Sequence, residues 1–495
     1  MSRNPIRRLS LAVTGKLKLG SSSAPVTPVT PISEKGAPST SELAKFLSET
    51  KARYLSDINA TPSKGREWTV AMGNEAGGAS IFPIEHKHIS KNSISILYAT
   101  DLDTVASSIA FAWVQSEVHK KPTIPLLQLE RADLDLRAEN IYALQLAGIT
   151  KPKDELLFLD DIKAHTPFPS ASFILVDHNR LGAAFTLNNP DAKVIAVVDH
   201  HADEGLYEDA NPRLIAPAGS CASHVATLMP PDVPASLATL LLTAILIDTN
   251  GLKPGGKAIA ADIFAAGFLA SRSTLASELP GTLVDALKED PNAHPEKVHG
   301  ADAIRELTEK LRSKKEDVGH LSGRDLLRRD YKEYEFIFGG EGAGGPVVRA
   351  GLSSVPVALK AWGKKGVLEK ATMEWMKERG LVVLGVLTAF KDGKKHRREM
   401  AWVVYNGGAK PEGEGEDETG GAVKVDLDKV AARLWKGLED SEELKVKKYK
   451  NKFDLQKTLP EGATGRTYKQ GNADANRKVV APLLKSIIEA PEVKE

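Results

Sequence analysis

A single cysteine, Cys221, stands among 495 residues. One thiol excludes an intrachain disulfide and fits a reducing compartment, so a cytoplasmic location is expected. Net charge is nearly absent too, with 66 basic residues against 65 acidic ones. No bulk field therefore draws the chain to nucleic acid or to an anionic membrane. No apolar run approaches the roughly 20 residues that a membrane span needs. A P-loop and a Gly-x-Ser-x-Gly elbow are both missing, which removes the basic parts of nucleoside-triphosphate and serine-hydrolase chemistry. Gly340-Glu341-Gly342-Ala343-Gly344-Gly345 satisfies the dinucleotide glycine pattern in form only. It lies between two expected strands with no helix after it, and reads as a hairpin loop. Acid is scarce at the start: Glu34 is the first carboxylate, whereas Arg3, Arg7, Arg8, Lys16 and Lys18 precede it. Residues 1–40, rich in Ser and Pro from Ser21 to Pro38, read as a disordered tail, with a mitochondrial presequence as the alternative.

What the chain does carry is a repeated grammar at the ends of apolar runs. Val194 to Val198 runs into Asp199-His200-His201, and Phe173 to Val176 into Asp177-His178-Asn179. Leu242 to Ile247 runs into Asp248-Thr249-Asn250, and Ile94 to Thr100 into Asp101-Leu102-Asp103-Thr104. Such runs suit strands of a parallel sheet buried on both faces, and ligand sites in open α/β sheets lie just beyond strand carboxyl ends. Carboxylates gathered there would repel one another in a partly desolvated cleft, and divalent cations relieve that repulsion. Hard oxygen ligands with imidazole suit Mn²⁺ or Mg²⁺. Asp101 and Asp103 are two apart, so an extended backbone would turn both to one side. This many ligands exceeds one octahedral ion's needs, and a two-metal site follows, with ions roughly 3.5–4 Å apart and an activated hydroxide for in-line attack on phosphorus.

In order, a helix is expected from Ser41, as N-cap, to about Tyr54, then a strand at Trp68–Met72 ending in Gly73-Asn74-Glu75. Helices at Thr104–Val118 and Leu134–Leu146 and strands at Ile124–Leu129 and Leu156–Leu159 continue a β-α-β alternation, the pattern of a doubly wound parallel α/β sheet. Residues 41–300 form this first domain. Residues 301–495 read as a smaller mixed α+β domain, entered by a bridging helix at Ala301–Lys314. It continues with a helix near Gly323–Tyr331, strands at Tyr334–Phe338 and Val347–Leu352, and a helix over Pro356–Lys377. Strands at Leu381–Thr388 and Met400–Tyr405, a mobile loop at 407–421, and helices at Val425–Leu438 and Arg477–Glu489 complete it.

Asp199-His200-His201, together with Asp177-His178-Asn179 and Asp101-Leu102-Asp103-Thr104, resembles the DHH phosphoesterase superfamily. The nearest likeness is to its exopolyphosphatase and class II (manganese-dependent) inorganic pyrophosphatase branch. Gly219-Ser220-Cys221-Ala222-Ser223, Asp325 to Lys332 and Gly351-Leu352-Ser353-Ser354 extend the likeness, the last two into a DHHA2 domain. The resemblance implies that Asp101 binds one ion, Asp103 the other, and that Asp177 bridges them. His200 and Asp248 would complete the second ion's shell, Asp199 would orient a histidine, and His201 would face the phosphate. His201, Asp177 and His200 are thus the implied catalytic residues. His178 lies nearby, with a capping or structural role as good a reading. Arg477 and Lys478 resemble the family's phosphate clamp and would bind substrate with His201. Arg349, Arg397, Arg398 and the Lys445–Lys452 stretch are weaker candidates.

The pattern departs from the family at one place. Asn74 should lie a few residues before Asp101 and join the metals, but roughly 23 extra residues, Gly78 to Thr100, intervene. Thr69–Met72 and Ile94–Tyr98 then compete for one strand position. The intervening piece is a genuine insertion or a translated intron; His86 and His88 within it have no supporting ligands. The implied activity is exopolyphosphatase, a hydrolase acting on inorganic polyphosphate with two divalent cations, Mn²⁺ or Mg²⁺, as a monomer, with neither nucleic acid nor membrane as partner. The alternatives are a manganese-dependent pyrophosphatase, a prune-type phosphodiesterase, or a polyphosphate-binding protein inactivated by the insertion.

Overall fold

The computed structural model describes residues 41–74, 100–340, 345–393, 395–406, 425–449 and 455–491. The basic tail, the inserted piece up to residue 99 with His86, His88 and the Ile94–Tyr98 run, and the 407–421 loop lie outside the described residues.

The first sheet has six strands: β1 (Thr69–Met72), β2 (Thr123–Leu127), β3 (Leu157–Phe158), β4 (Ser172–Val176), β5 (Lys193–Asp199) and β6 (Arg213–Ile215). Their order is β3-β2-β1-β4-β5-β6, and every pairing is parallel. The chain thus starts in the middle and winds outward both ways, the doubly wound α/β arrangement expected. β1, all four residues buried, sits between β2 and β4 and fills the position for which two segments competed. Its reversal point is the crevice where strand order changes, where open α/β sheets bind ligands.

Helices cover both faces. Ser41 caps the Glu42–Asn59 helix, its side chain accepting from Ala44 N–H as expected. Three expectations are corrected among the helices of this domain. The Leu242–Ile247 run is no strand but part of a 14-residue helix, Ala235–Asp248. Leu237 to Leu246 are buried without a break, and a helix buried all round produces the same uninterrupted apolar run as a buried strand. The helix expected over Thr104–Val118 begins earlier, at Leu102 with Asp101 as its N-cap accepting from Thr104 N–H at 3.1 Å, runs to Trp113 and continues as a π-helical turn to Val118. Asp101 and Asp103 therefore occupy a cap and a first helical turn, not an extended segment. The Leu134–Leu146 segment is likewise divided into a tight turn at Arg131–Leu136 and a helix at Ala138–Leu146. The bridging helix, Asp302–Glu316, inserts Ile304, Leu307 and Leu311 into the first core.

The second sheet comprises β7 (Tyr331–Ile337), β8 (Val347–Val355), β9 (Val383–Thr388), β10 (Phe390–Asp392), β11 (Lys395–Val404), β12 (Val446–Lys448) and β13 (Thr464–Gln470). Its order is β12-β13-β11-β9-β8-β7 with β10 on β11, antiparallel except for β8–β9. The β7–β8 hairpin closes where the glycine run stands, with Gly339 and Gly340 at φ +84° and +89°. The helix expected over Pro356–Lys377 is two, Leu359–Trp362 and Val367–Arg379, because Gly366 turns left-handed at φ +83° between them. The Leu427–Glu439 and Arg477–Glu489 helices bury one face of this sheet. No helix among the described residues is long and apolar enough to cross a membrane.

Candidate metal centre

Beyond β4 and β5 the chain turns sharply and presents its polar groups. Asp177, buried and held at φ +60°, is the hub. One carboxylate oxygen lies 3.2 Å from His200 Nε2 and 3.7 Å from His201 Nδ1. The other accepts from Thr104 Oγ1 at 2.6 Å and Asn74 Nδ2 at 3.3 Å. Asn74 also donates to the Asp177 carbonyl. It is therefore brought to the centre, but with its N–H groups and not an oxygen turned toward Asp177.

Asp103, 2 % exposed, lies against the start of the Cys221–Ala226 helix and accepts from Cys221 N at 2.6 Å and Ala222 N at 2.7 Å. His200 Nε2 is 4.0 Å from it, and Ala218 O holds Nδ1 of that ring at 3.1 Å. Asp199 is fully buried and ties the next histidine: one oxygen meets His201 Nδ1 at 2.8 Å and both following amides, and the other accepts from Asn179 at 2.6 Å. His178 turns away, its Nδ1 on the Val176 carbonyl at 2.9 Å, and burial holds its pKa down. This is the structural alternative for that residue.

The electrostatics register the crowding. Burial pushes the Asp103 carboxyl well above its usual range, and Asp177, Asp248 and Asp101 push it further. Asp101 is raised by burial and by Asp177, against relief from Arg137, Lys315 and the Thr104 amide. Asp248, at the end of its helix, is pushed up to about 7 by burial and by Asp101. Burial works against a charged His200, but its bond to Asp177 and the field of Asp103 override it and raise its pKa to about 10. The expected carboxylates thus act on one another across one pocket, with more negative charge than the protein neutralises. Asp177, His200 and His201 bring one ligand atom each within 4.8 Å of one another. Hard oxygens, imidazole and uncompensated charge fit a divalent cation.

The expected clamp has a different arrangement. Arg477 directs its fork at Asp330, at 2.8 Å to the carboxylate and 3.1 Å to the carbonyl. Arg477, with Arg137 also contributing, holds the Asp330 carboxyl below its ordinary range against burial. Lys478 is exposed at the start of the same helix. Sequence reasoning missed Lys332, whose pKa burial lowers to about 8 with Arg477 and Lys478 nearby. It stands within the Asp330-Tyr331-Lys332 motif, which was the signal available. Lys315 and Arg137, which act on Asp101, carried no local signal at all. Arg349 pairs with Glu335 at 3.1 Å, Arg397 faces Asp392 at 3.7 Å, and Arg398 donates to Ala473 O at 2.6 Å, so these three serve local structure. Of the lysine-rich stretch, Val446–Lys448 is a strand, and Lys448 lies 3.1 Å from Glu439.

Fold and site together define an α/β protein built around a candidate cation site at the strand ends. Residues 93–245 match the family model described as the DHH family, N-terminal domain, and residues 309–487 match the DHHA2 domain. The chain thus carries a DHH-family domain followed by a DHHA2 domain. A Schizosaccharomyces pombe protein named "Putative exopolyphosphatase" is 32% identical over 253 residues, 48% of this chain and 58% of that protein. The mouse protein "Exopolyphosphatase PRUNE1" is 26% identical over 292 residues, 56% of this chain and 52% of its own length. The chain therefore spans little more than half the length of these curated relatives. A solved Methanococcus jannaschii structure, titled a "putative family II inorganic pyrophosphatase", is alike at TM-score 0.41 and 19% identity, covering 85% of this chain and 98% of that one.

Proposed function

We propose that this chain is a metal-dependent phosphoanhydride hydrolase that releases terminal orthophosphate from inorganic polyphosphate. The observation that carries the reading is the mutual crowding of Asp101, Asp103, Asp177 and Asp248 around His200. Such a set has no use for its charge without cations. Asp101 and Asp103 would each hold one ion, Asp177 would be shared, and His200 and Asp248 would complete the second ion's shell. Two bound divalent cations, Mn²⁺ or Mg²⁺, would supply an acidified water and neutralise charge on the phosphoryl oxygens.

The protein's own groups do the rest. Asp199 holds His201 by Nδ1 and raises its pKa, which favours the charged ring and leaves its other nitrogen to meet a phosphate oxygen. Lys332, Lys478 and Arg477 bring positive charge from the second sheet for the remaining phosphates of the chain. Arg477 is a bidentate donor already oriented by Asp330, and loses little freedom when it engages an anion. Residues 41–300 would thus be the metal-binding half and 301–495 the substrate-binding half of a cytoplasmic monomer. Asn74 favours polyphosphate over pyrophosphate as substrate, since the pyrophosphatases of this branch place histidine there.

Phosphate release from polyphosphates of defined length, against pyrophosphate and cyclic nucleotides with Mn²⁺ or Mg²⁺, tests the proposal. Release from polyphosphate that Asp177→Asn abolishes is the expected result. A preference for pyrophosphate or a cyclic nucleotide would select the pyrophosphatase or phosphodiesterase reading. Polyphosphate binding without hydrolysis would select the inactive binding protein.

A further inference from the structure

One buried carboxylate takes no part in the site just described, yet it organises two of its members. Asp262, fully buried at the start of the Ala260–Ala270 helix, accepts from Gly219 N at 2.9 Å, Ser220 N at 3.3 Å and Ser223 Oγ at 2.6 Å. It also accepts from Ile259 N at 2.8 Å, which caps its own helix. No ion pair to it exists among the described residues. The turn it grips, Ala216 to Ala222, faces the metal centre with its other side. The Ala218 carbonyl there holds His200 Nδ1 at 3.1 Å, and the Cys221 and Ala222 amides hold the two oxygens of Asp103 at 2.6 and 2.7 Å. Gly219, between them, has no room for a side chain: an added Cβ would stand 2.7 Å from Thr249 Cγ2 and 2.9 Å from Asp262. The turn is thus pressed against the residue that follows Asp248.

We propose that Asp262 is a positioning residue for cation binding, acting through this turn to set His200 and Asp103 together. The inference rests on the metal-binding reading of the centre. A ligand imidazole is aimed by what its other nitrogen donates to, and here that acceptor is a carbonyl whose place the turn decides. A ligand carboxylate is aimed by the donors that fix its free rotation, and here the two shortest are amides of the same turn, beside Ser107 Oγ at 3.3 Å from Asp103's own helix. Without Asp262 the Gly219 and Ser220 amides and the Ser223 hydroxyl lose their acceptor in a buried place, and the turn must shift to recover one.

Mn²⁺ titration of the full-length protein by electron paramagnetic resonance, beside thermal unfolding, tests this. Asp262→Asn puts an N–H₂ group where only donors point, and should weaken Mn²⁺ affinity about 10–100-fold, the range for orienting partners of metal ligands. Ser223→Ala removes one bond to Asp262 and leaves its cap on Ile259, so it should weaken Mn²⁺ less but measurably, which keeps the test available if Asp262→Asn does not fold. Leu269→Ala, a fully buried position on the Asp262 helix, should lower the unfolding temperature and leave Mn²⁺ affinity unchanged. Wild-type affinity in Asp262→Asn, or an equal loss in Leu269→Ala, would overturn the proposal. Absence of Mn²⁺ binding by the wild-type protein would instead overturn the functional reading beneath it.

Discussion

Replacing Asp199 by Asn barely changes side-chain volume, yet it strikes the group that raises the His201 pKa. In the native structure one oxygen of Asp199 collects three donors, His200 N at 2.7 Å, His201 N at 3.1 Å and His201 Nδ1 at 2.8 Å. The other accepts from Asn179 Nδ2 at 2.6 Å. An asparagine can keep its carbonyl toward the three donors only by turning its N–H₂ group at Asn179, donor against donor. Asn179 cannot simply flip, because its own amide also serves Ala202 O at 3.0 Å and its oxygen takes Glu204 N at 3.2 Å. The His201 bond survives without its charge, and a charged hydrogen bond is worth about 1.5–3 kcal/mol where a neutral one is worth about 1. The difference, about 0.5–2 kcal/mol, corresponds to roughly a 2–30-fold loss in kcat/KM if His201 meets the phosphate as a cation. The sign on pH is fixed as well. Asp199 raises the His201 pKa, chiefly through their hydrogen bond, so its loss must bring the basic limb of the kcat/KM profile down to lower pH. Phosphate release from a defined polyphosphate, from pH 5 to 10, measures both effects. An unchanged profile with unchanged kcat/KM would refute the assignment of His201 to the substrate.

The other predictions concern the same centre and its approaches. Asp248, raised to about 7, favours folding by its neutral form, a contribution complete below about pH 4 and lost as pH rises through 7. His200, raised to about 10, contributes in full below about pH 6.5 and loses this as pH rises through 10. The metal-free protein should therefore weaken as pH rises, and Mn²⁺ should raise the unfolding temperature more at pH 8 than at pH 5; the reverse order in thermal scans would contradict the crowded-carboxylate account. Thr104→Val removes the 2.6 Å bond to Asp177, and calorimetric titration should show Mn²⁺ bound several-fold more weakly in a protein that still folds. Arg477→Ala should raise KM for polyphosphate by roughly tenfold and also lower the unfolding temperature, since it strips Asp330 of its partner, whereas Lys478→Ala should raise KM alone. Arg329→Ala removes donors from the Leu136 and Lys315 carbonyls at 2.9 Å each and a cation from buried Glu139. Urea unfolding should show a loss of about 3 kcal/mol, the lower end for breaking a buried pair because Arg137 still faces Glu139.

How much of this was legible in the sequence depended on whether the informative contact was local. Asp177 and Asp199 stood out because a strand buried on both faces writes itself as an apolar run, and whatever polar residue follows must emerge at its carboxyl end. The same rule failed for Asp248. Its run is buried on every side, and burial alone does not say whether the backbone beneath is strand or helix; the carboxylate lies near Asp101 and Asp103 at the end of a helix rather than a strand. Asp101 and Asp103 were found by their spacing, but an N-cap explains that spacing better than a strand, since Asp101 accepts from the amide three residues on. The two competing strand segments could not be ranked from composition, because position in a parallel sheet is decided by neighbours: β1 lies between β2 and β4, both far along the chain. What escaped altogether acts across the fold. Arg137 follows a tight turn that reads as helix in the sequence, and Lys315 is one of many charges on an amphipathic helix. Asp262 is separated from the amides it holds by about 40 residues. Each is an unremarkable charged residue until the chain is folded. The candidate ligands are readable because chemistry places unusual residues at strand ends; their supports are not, because any chain segment with a carboxylate or a guanidinium in reach can supply them.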